Sequence, residues 1–170
     1  KSKPTSDKRV RQAIAYAVDR NFLVNAVMMG TSQPAYTGFH PGSVFHDPNV
    51  ERYDLDLDKA NTILDEAGYA RGSDGMRFKL NIDFGWPAAR SMAEYVKPQL
   101  KKIGIDVTVR QSPDFPSWAK RISTWEFDMT VDVVFNWGDP VIGVHRTYLC
   151  NNVKKGVIWS NTQQYCNPEV

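Results

Sequence analysis

The sequence predicts an α/β fold in which a mixed, mostly parallel sheet is flanked by helices. Three observations carry this. Three segments alternate apolar residues at period two: Phe78, Leu80, Ile82 and Phe84; then Ile105, Val107 and Val109; then Phe127, Met129, Val131, Val133 and Phe135. Segments of helical period lie between them. The resulting order, β-α-β-α-β, favours parallel strands joined by right-handed crossovers.

Each element has its own local reason. A first helix begins near Ser6 or Asp7, with Val10, Ile14, Ala17 and Val18 on one stripe, and Asp19-Arg20-Asn21 interrupts it. Phe22 to Met29 reads as a second short helix ending at Gly30. Residues 31–53 carry Pro34, Pro41 and Pro48 and read as a long loop that wraps the surface or carries function. Asp56 is a good N-cap for a helix with Ala60, Ile63, Leu64 and Ala67 inward, stopped by Gly68. Between the first two strands, Pro87 to Ile103 is helical, with Met92, Val96, Leu100 and Ile103 inward. Pro98 is expected to kink or break it. Pro116 to Thr124 forms a short helix with Trp118 and Ile122 inward, and Phe127 to Phe135 forms a buried third strand.

The bulk properties bound the function. A chain of 170 residues suits one domain with a real core, and its hydrophobic fraction of 42% is that of a globular protein. The net charge of +2 has no long run of either sign, so nothing suggests a nucleic-acid footprint. No apolar run approaches membrane-spanning length. The chain starts at Lys1 without an initiator Met and ends as if a helix were about to begin. It reads as a piece of a longer protein, so the lack of a targeting signal says nothing of location.

Several chemistries find no support. Gly85-Trp86-Pro87 lacks a dinucleotide fingerprint, no phosphate-binding Gly-Lys loop exists, and no cofactor is implied. His40, His46 and His145 are scattered without metal-ligand spacing. No nucleophile elbow is present, and Asp54, Asp56 and Asp58 suit helix capping better than acid–base work. Cys150 and Cys166 are either two buried thiols or a disulfide. The polar residues around them tilt towards a disulfide, worth roughly 3 kcal/mol and indicating an oxidising compartment.

What remains is a pair of strand-end loops. Ligands of open α/β sheets sit beyond the carboxyl ends of the strands. Asn136-Trp137-Gly138-Asp139-Pro140 follows the third strand, and Trp86 follows the first. Two tryptophans with the Asp139 carboxylate suit an amphipathic cation, through stacking and a charge-assisted hydrogen bond. Taken alone, the pentapeptide also reads as a Gly-Asp-Pro turn, and each Trp as packing.

Several stretches together resemble one family. Asp7-Lys8-Arg9-Val10-Arg11-Gln12-Ala13-Ile14-Ala15-Tyr16-Ala17-Val18-Asp19-Arg20 is similar to the signature of the bacterial extracellular solute-binding proteins of family 5. So are Tyr53-Asp54 to Lys59-Ala60 with Ile63-Leu64-Asp65-Glu66-Ala67-Gly68-Tyr69, and Leu100-Lys101-Lys102-Ile103-Gly104-Ile105-Asp106-Val107. The resemblance implies a periplasmic-binding-protein-like lobe of type II, spanning residues 1–170 as most of the carboxy-terminal lobe of a two-lobed clamp. It implies a non-enzymatic, exported protein of the periplasm or cell surface, acting as a monomer with a second lobe of the same polypeptide. That protein closes on a small, peptide-like solute and hands it to an ABC permease in the membrane. It also implies a Cys150–Cys166 disulfide.

The site carries over less directly. Peptide-binding relatives hold the solute's amino group with the Asp of a Trp-x-Gly-Asp motif, and an Asp-Pro pair follows. Here both are compressed into Trp137-Gly138-Asp139-Pro140, and counting back from Cys150 sets Asp139 with the second. The Arg with which dipeptide binders hold a carboxylate has no counterpart between Asp83 and Ala89, and Arg90 starts the helix. Asn136, Trp137, Gly138, Asp139 and Trp86 are the expected ligand contacts, with no catalytic or metal-binding residue. A rival reading, a small α/β hydrolase or transferase, would use Asp83 and Asp139 at the same strand ends. A sensor lobe on the same fold is a third.

Overall fold

The computed structural model describes residues 3–133, 135, 139, 141 and 143–167. Helix α1 (Lys8–Ala17) starts where the Asp7 carboxylate accepts from the Arg9 N–H, and α3 (Leu57–Glu66) starts where Asp56 accepts from Lys59. Between them, α2 (Arg20–Phe22) is a single turn capped by Asp19, and it runs on into a π-helical turn over Leu23–Val27. The expected second helix is therefore there in place but not in kind. Residues 31–53 form turns and bends without helix or strand.

The sheet has strand order β2-β1-β3, and β1 (Phe78–Phe84) pairs in parallel with both β2 (Ile105–Gln111) and β3 (Met129–Thr130). The two faces of β1 divide the work. Leu80, Ile82 and Phe84 point to one side and join one buried cluster with Ala89, Ala93 and Leu100 of α4 (Pro87–Lys102) and Val10, Ala13 and Ala17 of α1. The opposite side carries Lys79, Asn81 and Asp83 and is polar. There α5 (Phe115–Ser123) sends Arg121 to Asp83. As expected, Trp118 and Ile122 of α5 are fully buried.

An arginine locks the base of the sheet. Arg77, its side chain only 1% exposed, donates to Asp65 of α3, to the Tyr69 carbonyl and, at 3.0 Å, to the Ile103 carbonyl at the end of α4. Gly104 makes that close approach possible. Its φ is 80°, and a β-carbon there would lie 2.8 Å from Arg71 Nη1 and 3.0 Å from Arg77 Cγ.

Two expectations from the sequence need correction. Pro98 does not break α4, which continues to Lys102. Pro98 lies on the exposed face of the helix, where the carbonyl it leaves unpaired can turn to water. The third strand is much shorter than the expected 127–135, and its ladder covers only Ile82↔Met129 and Asp83↔Thr130. Upstream, the Asp128 carboxylate takes the Asn81 N–H at 2.9 Å in place of a strand carbonyl. Downstream, β1 ends at Phe84, so little edge is left to pair with. Phe127, Met129 and Val131 are half-buried, and Val133 and Phe135 are about half exposed, so this segment is no buried strand. Val134 lies outside the described residues.

Candidate functional site

The carboxyl ends of the parallel strands bring three things together: the Gly85-Trp86-Pro87 loop, the start of α5, and the segment after β3. Gly85 is the tightest point. A β-carbon on it would stand 2.7 Å from Cγ and 2.9 Å from Cδ2 of Trp118, which is fully buried and has no room to yield. Gly85→Ala is expected to destabilise the chain by about 1–3 kcal/mol, read from urea unfolding, because the loop carrying Trp86 must lift off Trp118. A wild-type midpoint would show that the loop shifts freely.

Trp86 is half-buried. Its ring packs on the core from one side and meets Trp118 edge-on at 5.5 Å. Trp118 in turn donates from Nε1 to Thr130 Oγ1 at 3.1 Å, which ties α5 to β3. Phe115 and Trp159 extend the aromatic array outward from Trp118, at 5.4 and 6.4 Å.

Behind this wall lies a buried charge. Asp83 is fully buried, and its two carboxylate oxygens each receive a guanidinium at 2.7 Å, Oδ2 from Arg110 and Oδ1 from Arg121. Arg121 also donates to the buried Ser112 Oγ at 3.2 Å. With both oxygens engaged, Asp83 has no approach for a substrate, so the catalytic part given to it in the rival reading is not available. Its partners were not legible in the sequence.

Of the expected contacts, Trp86 stands at the rim and Asp139 is exposed, with its Oδ1 accepting from the Val141 N–H at 2.9 Å. Asn136, Trp137 and Gly138 lie outside the described residues. Asp132 was not anticipated. It is open to solvent, yet enough protein surrounds it that desolvation pushes its carboxyl above the ordinary carboxylate range, while the Val133 N–H at 2.7 Å pulls the other way. In sequence it is one of the polar positions of the alternating run, like Asp128 and Thr130, and nothing singled it out.

Elsewhere, an open recess of about 570 Å³ lies in the long loop, lined by Gly30, Thr31, Gln33, Thr37, Phe39 and His40. It is remote in sequence from the strand ends and has no charged group among these residues. Cys150 and Cys166 form a disulfide. Among the described residues no group of three or more His, Cys, Asp or Glu is placed to hold a metal ion, and no helix is long and apolar enough to cross a membrane.

A parallel sheet flanked by helices is consistent with the fold of periplasmic binding proteins, and comparison with solved structures agrees. The oligopeptide-binding protein AppA from Bacillus subtilis, solved with a nonapeptide, superposes with a TM-score of 0.80 at 26% identity, over 97% of this chain and 34% of that one. The profile of the bacterial extracellular solute-binding proteins, family 5 Middle, matches residues 1–155, and the chain belongs to that family. The family consists of binding proteins, not enzymes. Among its relatives, di/tripeptide-binding protein 3 of Pseudomonas aeruginosa is 28% identical over 97% of this chain. The nickel-binding periplasmic protein of Escherichia coli is 28% identical over 81% of it. The chain spans only about 30% of the length of such relatives.

Proposed function

We propose that this chain is most of one lobe, the carboxy-terminal one, of a two-lobed solute-binding protein that serves an ABC importer. The protein works outside the cytoplasm, in the periplasm or at the cell surface, as a monomer. It closes on a small, peptide-like solute between this lobe and a second lobe of the same polypeptide, then delivers it to a membrane permease. Binding to both lobes is what favours the closed state. The observation that carries the reading is the array at the carboxyl ends of the parallel strands: Trp86 on its buried Trp118 support after β1, and the Asp132 carboxyl, raised by desolvation, in the segment after β3. Trp137 supplies a second apolar wall, Asn136 and Gly138 supply backbone and amide contacts, and Asp139 and Asp132 are the acceptors for a solute ammonium.

The test is mass spectrometry of the solute that co-purifies with the full-length polypeptide. A peptide or an amino-acid derivative is expected. A product of turnover would instead favour an enzyme. The chain alone should bind the same solute at least about tenfold more weakly, since losing the other lobe's contacts costs 1.4 kcal/mol for each factor of ten.

The raised carboxyl of Asp132 gives a pH prediction. As pH falls through its raised value, Asp132 protonates and a solute ammonium loses its counter-charge. Affinity for a cationic solute should therefore decline at a pH above that at which an ordinary carboxylate would cause it. Asp132→Asn should bind more weakly at neutral pH and lose this part of the pH profile in calorimetric titration. An unchanged profile would remove Asp132 from the site.

A further inference from the structure

Trp159 adopts a backbone conformation that tryptophan seldom takes. Its φ is 63°, in the left-handed region where every residue but glycine is strained. Strain of this kind persists only where the surroundings enforce it, and here they do. The Cys150–Cys166 disulfide closes the loop that carries Trp159. Next to Trp159, Ser160 is buried and donates to the Val157 carbonyl at 2.7 Å. Asn161 is fully buried, donates to the Leu149 carbonyl at 3.1 Å and accepts from the Tyr165 N–H at 3.1 Å. The loop is thus pinned on both sides of an indole that is itself left 39% exposed.

The exposed ring is not isolated. It stacks on Phe115 at 6.2 Å with the planes 27° apart, and Phe115, the first residue of α5, is 45% exposed. Through Trp118 the two rings continue to Trp86. A half-exposed aromatic pair, with Trp159 held in a strained backbone, therefore continues the array from Trp86 towards the disulfide loop. Of the two lysines in this loop, Lys154 and Lys155, the second lies over Trp125 at 5.7 Å.

We infer that Trp159 and Phe115 form an aromatic subsite that takes an apolar or aromatic side chain of the bound solute, with Trp159 as its specificity-determining residue. This rests on the reading of the chain as a lobe that binds peptide-like solutes. Offset stacking favours a flat side chain over a methyl group, and a ring held in advance loses little freedom when it binds.

The experiment uses the full-length polypeptide and two peptides, Ala-Ala-Ala and Ala-Phe-Ala, titrated calorimetrically. The wild type should prefer Ala-Phe-Ala by about five- to tenfold, the size of one aromatic contact. Trp159→Gly removes the ring and suits the backbone, because glycine takes φ near 63° without strain. It should bring the ratio close to one by weakening Ala-Phe-Ala more than Ala-Ala-Ala, whereas Trp159→Phe should keep most of the preference. An unchanged ratio in Trp159→Gly would overturn the subsite, and so would an equal loss for both peptides, which is the mark of a ring that packs on the other lobe. If the wild type binds neither peptide, the peptide reading itself fails and takes this inference with it.

Discussion

Replacing Trp118 by Ala is expected to lower the unfolding free energy by about 3–5 kcal/mol, the range for a large aromatic removed from a core. Trp118 is fully buried, and its indole joins three elements. It supports Gly85 and Trp86 from beneath, packs against Phe115 on its own helix, and donates to Thr130 on β3. Thr130 passes the bond on to the Asp83 carbonyl at 3.1 Å. Urea unfolding should show a lower midpoint at an unchanged slope. Solute binding should weaken as well, because the wall at Trp86 loses its backing. A loss under about 1 kcal/mol would mean that the site collapses to fill the void, and that Trp118 does not set the rim.

Asp83→Asn should have the second large effect, about 3 kcal/mol. Breaking a buried pair strands its partners, at about 3–5 kcal/mol, and the lower end applies because solvent partly reaches both guanidiniums. Arg110 and Arg121 are 33% and 28% exposed. The informative comparison is with the triple variant Asp83→Leu, Arg110→Met, Arg121→Met. Removing all three charges together should cost less than removing Asp83 alone, since no charge is then left without its partner. If the triple variant proves the less stable, the net attraction within the triad outweighs its desolvation.

Helices α1, α3, α4 and α5 and the first two strands were legible because their causes are local. Asp7 and Asp56 cap the helices that follow them, and Leu80, Ile82 and Phe84 alternate because one face of β1 is buried. The third strand misled for a matching reason. Its alternation from Phe127 to Phe135 is real, but strand pairing needs an edge, and β1 offers one only as far as Asp83 opposite Thr130. Pro98 misled because the cost of proline depends on whether the freed carbonyl can reach water, which sequence does not state.

By itself, then, the sequence determined the α/β class, the parallel order and the family, and it pointed to the strand ends as the candidate site. These follow from periodicity, from caps and from short signatures, all of which act over a few residues. Only the tertiary structure decided how the site is held. Asp83 meets Arg110 and Arg121 across 27 and 38 residues of chain, Trp118 backs Gly85, and the disulfide loop presents Trp159 to Phe115. The physical reason is that charge pairing and aromatic contact depend on distance in space, and a chain that folds back on itself does not keep that distance in its order of residues.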